Sequence, residues 1–313
     1  MPPTFSIIIP TYNRAALVRR ALASVLSQDD GDFEIVVVDS ASTDGTREVV
    51  RENAERDGRV RLICEETRRG VCPARNTAVD AATGQWIIPL DSDDELASGA
   101  LALFRRKIAA YPQADHHRFM CRWDDGSLSP RPPLQEEIWD YHGYLRFMER
   151  CAAGGLTESV SCVRRETFRV LRYPDDRSYE TLYHFDFAAR FLTAAHSEVG
   201  RLYHTDAADQ NSFAPNAKHW LRVAPDQART LHLLIERHGA AMQQHAPRAY
   251  DDFLRSAAKF GFMAGRRGAA LRLTGMLLKR KPLSPMSWAV LSFGILGRRS
   301  IAYADSWLKY LRA

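Results

Sequence analysis

The sequence predicts an α/β fold: a Rossmann-like, mostly parallel sheet with helices on both faces, followed by a C-terminal helical region. Nearly unbroken Val/Ile runs alternate with amphipathic helical patterns over the first 110 residues, and strands of this kind are buried on both sides. The length of 313 residues exceeds one average domain but is short for three. We therefore expect one α/β domain with an appended helical region.

The predicted elements of the first half follow from hydrophobic spacing. FSIIIP at 5–10 predicts a strand, and residues 15–27 have the apolar spacing of a helix. The same unit recurs, with strands predicted at 33–39, 60–64 and 86–90 and helices at 46–57, 73–82 and 98–111. Residues 127–133 predict a surface loop. From about Lys218 the pattern is helical, with interruptions expected at Pro247, Gly265, Gly268, Pro282 and Pro285.

Composition is that of an ordinary globular protein, with 45% apolar and 26% charged residues. The five cysteines form no CxxC pair, which does not resemble a disulfide framework and favours a reducing, cytoplasmic setting. Residues 1–10 do not have the pattern of a signal peptide. No run of 18 or more apolar residues predicts a membrane-spanning helix.

Charge is distributed unevenly along the chain. The net charge is +5, but residues 253–313 hold twelve Lys and Arg against Asp305 alone, so that segment carries +11 and the preceding residues −6. Such asymmetry points to an anionic surface, either phospholipid or nucleic acid. The tail lacks the aromatic platforms that single-stranded nucleic acid requires. We therefore expect no nucleic-acid partner and an anionic membrane surface instead; the alternative is a buried helical subdomain with a solvated basic rim.

Polar residues follow the predicted strands, at the edge where open α/β sheets bind ligands. They are Thr11 to Arg14, Asp39 to Gly45, and Asp91 to Glu95. Four acids within five residues repel one another unless a cation or hydrogen-bond donors offset the repulsion. Oxygen ligands suit Mg²⁺ or Mn²⁺, which bridge protein carboxylates and diphosphates. The simpler alternative is a helix N-cap with solvated acids.

Asp39 ends an apolar strand, where a dinucleotide-binding enzyme holds a ribose hydroxyl. However, the first turn, PTYNRAAL, contains no glycine, and no P-loop is present. Phosphate charge must then be met by a metal and basic side chains. For Asp39 and for Asp44, which precedes Gly45, turn chemistry is the structural alternative.

Together these stretches resemble glycosyltransferase family 2, of the A-type glycosyltransferase fold. The matching segments are SIIIPTYNR at 6–14, IVVVDSASTDGT at 35–46 and RRGVCPARNTAVDAATGQWIIPLDSDDEL at 68–96, in the family's order and spacing. The nucleotide site implied by the resemblance comprises Pro10, Thr11, Tyr12, Asn13, Asp39, Arg75, Asp91 and Ser92, and the implied metal ligands are Asp91 and Asp93. Asp39 would accept a hydrogen bond from the base, commonly uracil.

The resemblance further implies a metal-dependent, inverting transfer of a sugar from a nucleotide-sugar, of which a UDP-sugar is the first choice. The cofactor would be Mn²⁺ or Mg²⁺, the acceptor a glycan or lipid-linked molecule, and the process cell-surface polysaccharide biosynthesis. The predicted domains are a glycosyltransferase domain at 1–215, with a nucleotide-sugar-binding half at 1–110 and an acceptor half at 111–215, and a basic helical region at 216–313. The basic tail would allow peripheral attachment at the inner face of the cytoplasmic membrane.

The second half resembles the family less closely. RYPDDRSYETLYHF at 172–185 is similar to the segment in which many members carry a Glu-Asp pair containing the general base. Glu180 is present but Thr181 follows it, so Glu180 is the candidate base and Asp186 or His184 the alternative. His204 is a candidate further ligand, although a lone histidine is more often structural.

Two other functions remain open at this point. A sugar-phosphate nucleotidyltransferase would share the sheet and the metal, but the glycine-rich loop expected after its first strand is absent. A non-catalytic protein that binds nucleotide-sugars or docks on membranes, with a degraded site, is suggested by Thr181.

Overall fold

A computed structural model describes residues 2–152, 157–175, 180–206 and 217–303. The chain divides into two compact units. The first comprises Met1–Tyr144, Gly154–Asp176 and Asp186–Ala207, and the second Leu145–Ala153, Arg177–Phe185 and Ala208–Ala313. The domain boundary predicted between residues 215 and 216 lies outside the described residues.

The first unit is built on one sheet with ten strands in its described part. The strands are β1 (Phe5–Thr11), β2 (Phe33–Ser40), β3 (Val60–Glu65), β4 (Trp86–Pro89), β5 (Glu95–Leu96), β6 (His116–Trp123), β7 (Leu128–Ser129), β8 (Glu137–Trp139), β9 (Val160–Arg164) and β10 (Thr193–Tyr203). Their order is β3-β2-β1-β4-β9-β6-β10-β5, with β7 beside β6 and β8 beside β10. Strands β3, β2, β1, β4, β6 and β10 run in one direction. The predicted mostly parallel sheet is confirmed.

Helices cover both faces of this sheet, as predicted. They are α1 (Ala15–Leu26), α2 (Thr46–Arg56), α3 (Val71–Ala81) and α4 (Ala100–Ala110), with a short 3₁₀ helix at Arg165–Arg169. Ile7, Ile9 and Val37 pack in one core with residues of α1, α2 and α4, and α3 contacts β1 and β2. Because both faces are covered, every residue of β1 and β2 is buried, which explains their largely apolar sequence.

Two details differ from the prediction. Helix α3 begins at Val71 rather than Pro73, because Gly70 takes a positive φ of 121° and its carbonyl accepts a hydrogen bond from Ala74 N at 3.3 Å. The segment 127–133 is not only a surface loop. It contains β7, which pairs antiparallel with β6, and Ser129 within it is buried.

The remaining helices follow strand β8 along the chain. They are α5 (Tyr141–Cys151), α6 (Thr181–Ala188), α7 (Ala217–His245), α8 (Pro247–Met263), α9 (Arg267–Arg280) and α10 (Pro285–Leu296). Helix α7 packs on α8, α8 on α9, and α10 on both α8 and α9. The predicted helical region is confirmed, but Gly268 lies inside α9 and does not interrupt a helix. Among the described residues, no helix is both long and apolar enough to cross a membrane.

Candidate functional site

The ends of β1, β2 and β4 bring three of the predicted polar segments to one edge of the sheet. Thr11 and Asp39 are register partners on the parallel strands β1 and β2. On the other side of β1, Leu90 N donates to Ile8 O at 3.0 Å, so the acidic loop that starts at Asp91 follows directly. The residues predicted from separate parts of the sequence therefore surround the same edge.

Asp39 is fully buried and has one oxygen engaged and one open. Its Oδ2 accepts hydrogen bonds from Arg47 Nε at 2.6 Å and from Ser42 N at 3.1 Å. Its Oδ1 has no hydrogen-bond partner among the described residues, and neither has the buried Thr11 Oγ1. Buried polar atoms are almost always paired in proteins. An open acceptor and an open hydroxyl on adjacent strands indicate a place for a polar ligand.

Asn13 ties the loops after β1 and β2 together. Its N donates to Ser42 Oγ at 2.8 Å, and its Oδ1 accepts from Thr43 N at 2.8 Å. Asn13 has a φ of 50°, a left-handed conformation that asparagine tolerates well. Asp44 accepts from Thr46 N at 3.0 Å and from Ala15 N at 3.3 Å, so it acts as the turn residue considered from the sequence.

Pro10 and Tyr12 flank Thr11. Pro10 lies within β1 opposite Val38, where it is buried. Tyr12 is half-buried, and the guanidinium of Arg68 stacks over its ring at 3.9 Å from the ring centroid. One face of the aromatic ring is thus covered by a cation.

The three aspartates of the acidic loop each contact an arginine. Asp91 Oδ1 accepts from Arg75 Nη2 at 2.6 Å. Asp93 Oδ2 lies 2.6 Å from Arg14 Nη1, and Asp94 Oδ2 lies 3.1 Å from Arg201 Nη1. Ser92 is buried between them. The repulsion that suggested a divalent cation from the sequence is therefore already offset by three guanidinium groups.

The environments of the acids change their protonation equilibria in opposite directions. Although burial opposes ionisation of Asp91, the charges of Arg75 and Arg201 lower its pKa. Burial and the negative charge of Asp91 raise the pKa of Asp93. Burial raises the pKa of Asp94 to about 7 against the opposing effect of Arg201. Asp91 is thus the carboxylate most strongly held in its charged form.

The loop suits a hard cation, which prefers oxygen ligands. Asp91 and Asp93 each use one oxygen in the ion pair with Arg75 or Arg14, and the Asp91 side chain remains 36% exposed. Among the described residues, the other oxygen of Asp91, Oδ2, makes only the longer contact of 3.9 Å to Arg201 Nη1, and the ion pair of Asp93 with Arg14 uses Oδ2 and not Oδ1. The donor set fits Mn²⁺ or Mg²⁺ without requiring either.

A second group could geometrically hold a metal. Ligand atoms of Glu136, His196 and Glu198 lie within 4.8 Å of one another. Lys107 Nζ, however, lies 2.8 Å from Glu136 Oε1 and 2.6 Å from Glu198 Oε1. The ammonium group already supplies the positive charge, so we interpret this group as an ion-pair cluster.

The candidate bases lie at α6. Glu180 immediately precedes the helix, its carbonyl accepts from His184 N at 3.0 Å, and its carboxylate lies 3.7 Å from His184 Nε2. Asp186 is buried within α6, 3.7 Å from Arg190 Nη1. Burial, with a smaller effect of the Asp186 charge, raises the pKa of Tyr141 to about 12. Asp186 belongs to the unit that contains the acidic loop, whereas Glu180 belongs to the other.

The ring of His204 contacts two carboxylates. Its Nδ1 lies 2.6 Å from Asp124 Oδ1 and its Nε2 lies 2.7 Å from Glu95 Oε1. Both ring nitrogens are therefore engaged with acids in this structure.

Sequence reasoning did not predict the ionic contacts of the basic side chains that organise the site, although it placed Arg14 at the ligand-binding edge. These side chains are Arg14, Arg20, Arg47 and Arg201; Arg20 Nη2 donates to the carbonyl of Asp93 at 2.6 Å. Arg14 lies within the PTYNR segment and was available as a signal. Arg201 lies on β10, far from Asp94 in sequence, and no local pattern marked it.

Comparison with known proteins places these features in a family. The family model described as glycosyl transferase family 2 matches residues 6–172. A β-1,3-glucosyltransferase of Campylobacter jejuni, named for the substrate GalNAc(5)-diNAcBac-PP-undecaprenol, is 38% identical over 106 residues, which cover 34% of this chain and 34% of that protein. The chain thus spans about a third of the length of this relative.

Two solved structures share the fold. TarS 1–349 of S. aureus in complex with UDP-GlcNAc has a TM-score of 0.59 at 19% identity, covering 96% of this chain and 90% of that chain. A mannosyltransferase from Pyrobaculum calidifontis in complex with GDP-Man and Mn²⁺ has a TM-score of 0.55 at 21% identity, covering 99% and 88%. At these identities the similarity shows a common fold.

Proposed function

The chain belongs to glycosyl transferase family 2, and from this premise we propose that it transfers a sugar from a nucleotide-sugar to an acceptor hydroxyl with inversion. The observation that most supports this is the open Oδ1 of Asp39 at the edge where the acidic loop follows β4. The end of this edge at Asp39 suits a nucleobase, and the end at the acidic loop suits a diphosphate. A nucleoside diphosphate has both groups.

We favour uracil as the base. Asp39 offers a single open oxygen, because Oδ2 is engaged by Arg47 and Ser42. Uracil presents one N–H between two carbonyl groups, which matches one acceptor with a hydroxyl donor such as Thr11 beside it. Guanine presents two adjacent donors and would leave one of them without a carboxylate oxygen. A buried donor left unpaired costs about 1–3 kcal/mol.

At the diphosphate end, Asp91 and Asp93 would hold Mn²⁺ or Mg²⁺, with Ser92 between them. Such an ion supplies Lewis-acid neutralisation of the charge that develops on the leaving nucleoside diphosphate. Arg75 is buried and paired to Asp91 at 2.6 Å, and we assign it the role of orienting that carboxylate beside the nucleotide. Asn13 and Pro10 would hold the loop that forms the nucleotide pocket with Tyr12.

For the acceptor side, we propose Glu180 as the general base, with Asp186 as the alternative. A carboxylate that receives the hydroxyl proton as the new bond forms accelerates transfer by about 10²–10⁴-fold. The acceptor class we propose is a glycan or lipid-linked molecule, in keeping with the undecaprenol-linked substrate in the name of the C. jejuni relative. The process would be cell-surface polysaccharide biosynthesis.

Location and domain roles are part of the same proposal. We assign residues 1–110 to donor binding, 111–215 to the acceptor and 216–313 to a basic helical region. The protein would act in the cytoplasm, with an anionic membrane surface as partner of the basic region.

The test is a screen of UDP- and GDP-sugars for nucleotide release with Mn²⁺, Mg²⁺ or EDTA, with and without lipid-linked acceptors. We expect release from one or more UDP-sugars that EDTA abolishes. Tight binding of UDP with no turnover of any donor would favour the non-catalytic alternative. Release from GDP-sugars only would overturn the uracil assignment.

A further inference from the structure

Helix α10 is fixed in the second unit by one narrow face. Ser287, Val290 and Gly294 are its buried residues. Gly294 lies so close to Phe262 that an added Cβ would be 2.4 Å from the ring atom Cδ2. A contact this close requires glycine and positions the helix firmly. This contact also determines which side of α10 is turned away from the other helices of the second unit.

The opposite side of α10 is apolar and exposed. Trp288 is 50% exposed, Ile295 60% and Leu296 72%, and their spacing places them on one stripe of the helix. Phe293 borders the stripe, and Leu283, just before the helix, is 92% exposed. We call these five residues the α10 apolar face. Clustered exposed apolar residues mark an interaction site, unlike single ones.

The surroundings of this face are basic. Residues 253–303 contain ten Lys and Arg and no Asp or Glu. Exposed Lys281 lies before α10, with its Nζ 3.7 Å from Oδ2 of the buried Asp251, and exposed Arg298 and Arg299 follow the helix. A partner must therefore offer negative charge next to an apolar region that the exposed side chains can enter. Nucleic acid lacks such an apolar region, and a second copy of the chain would bring the same positive charge.

We propose that the α10 apolar face inserts into the interfacial layer of an anionic phospholipid membrane, with the flanking cations contacting lipid phosphates. Helix α10 has 12 residues and would be about 18 Å long, too short to span a hydrocarbon core of about 30 Å. A helix that does not span can lie on the membrane, where binding strength scales with the buried apolar area and with the attraction to anionic lipids. Tryptophan favours this layer, where one side of the ring is apolar and the other wet. This defines the contact surface of the membrane partner proposed above and stands apart from the transfer chemistry.

Co-sedimentation of the full chain with vesicles tests the proposal. We expect binding to phosphatidylglycerol-containing vesicles and little binding to phosphatidylcholine alone. The triple variant W288S/I295S/L296S should bind at least about tenfold more weakly, because most of the inserted area is removed. The variant K281Q/R299Q should lose about 25-fold, at roughly fivefold per cation near the surface.

Matched controls use the first unit. V170S and L128S remove exposed apolar residues, and R51Q/R56Q removes two exposed cations; each should leave vesicle binding unchanged. Circular dichroism and UDP binding should be unaltered in all variants, which separates failure of this proposal from failure of the enzymatic one.

Three results would overturn the proposal. The first is equal binding of the intact chain to neutral and anionic vesicles, and the second is normal binding by the apolar triple variant. The third is a concentration-dependent dimer that the triple variant abolishes while vesicles are ignored, which would assign the face to a second copy of the chain.

Discussion

Replacing Asp39 by Asn should weaken UDP binding while leaving the fold intact. In the variant, the amide oxygen can still accept from Arg47 and Ser42, as Oδ2 does at 2.6 and 3.1 Å. The amide nitrogen then replaces the open Oδ1 and presents a donor to the N–H of uracil. A hydrogen bond to a charged group contributes about 1.5–3 kcal/mol, so the Kd for UDP should rise roughly 10- to 150-fold.

Isothermal titration with UDP and with inorganic pyrophosphate provides the measurement. Pyrophosphate has no base, so its affinity should be equal in wild type and D39N. D57N is the matched control. Asp57 is also paired with an arginine, Arg59 Nη2 at 2.7 Å, but it lies at the C-terminal end of α2 and not among the residues assigned to the nucleotide site. A UDP affinity within threefold of wild type, or an equal loss for pyrophosphate, would refute the assignment of Asp39 to the base.

Three further predictions concern the metal, the base and a buried histidine. EDTA should abolish turnover, and D93N, which keeps a hydrogen-bond acceptor for Arg14, should lower it at least about 10²-fold; full activity in excess EDTA would exclude metal dependence. E180Q should lower turnover by roughly 10²-fold or more with donor affinity unchanged, whereas normal E180Q turnover together with loss in D186N would move the base to Asp186. Burial and the neighbouring His196 and Arg164 lower the pKa of His117 to about 3, so only the unfolded chain gains this proton below its ordinary pKa of about 6.5. The free energy of unfolding should then fall by up to about 1.4 kcal/mol per pH unit as pH drops from 6.5 toward 3. Urea titrations at several pH values should show that the unfolding free energy of H117N depends less on pH than that of the wild type; an equal pH dependence would exclude this histidine as the cause.

The parallel half of the sheet could be predicted from the sequence because its physics is local. Strands β1 and β2 are covered on both faces, so nearly every position is apolar and the pattern is unambiguous. Parallel neighbours end at the same edge of a sheet, so the strand pattern by itself predicts that Thr11 and Asp39 lie close together. The error at α3 also had a local cause: proline is common in the first turn, but Gly70 caps this helix, which begins at Val71, two residues before Pro73.

The basic half of the site could not be predicted in the same way. Arg201 lies on β10 and meets Asp94 only because β5 and β10 are adjacent at the end of the sheet. That pairing depends on the order of the strands beyond β4. There the antiparallel strand β9 interrupts the parallel arrangement, and no short sequence motif specifies the order of the strands that follow. Repulsion among the acids was correctly recognised, but side chains distant in sequence offset it.

The burial of Asp94 beside Arg201 constrains how this site can change during evolution. Asp94 and Arg201 are both buried and lie 3.1 Å apart. Losing Arg201 would leave the buried Asp94 carboxylate without its arginine, at a cost of up to about 3–5 kcal/mol, whereas losing Asp94 would leave Arg201 with Glu158 Oε2 at 3.1 Å and Asp91 Oδ2 at 3.9 Å. We therefore expect Asp94 to occur together with Arg201 among related sequences, while the partly exposed Asp91 can be replaced with less effect on folding. Sequence pairs separated by about a hundred residues would then record the strand order of the sheet.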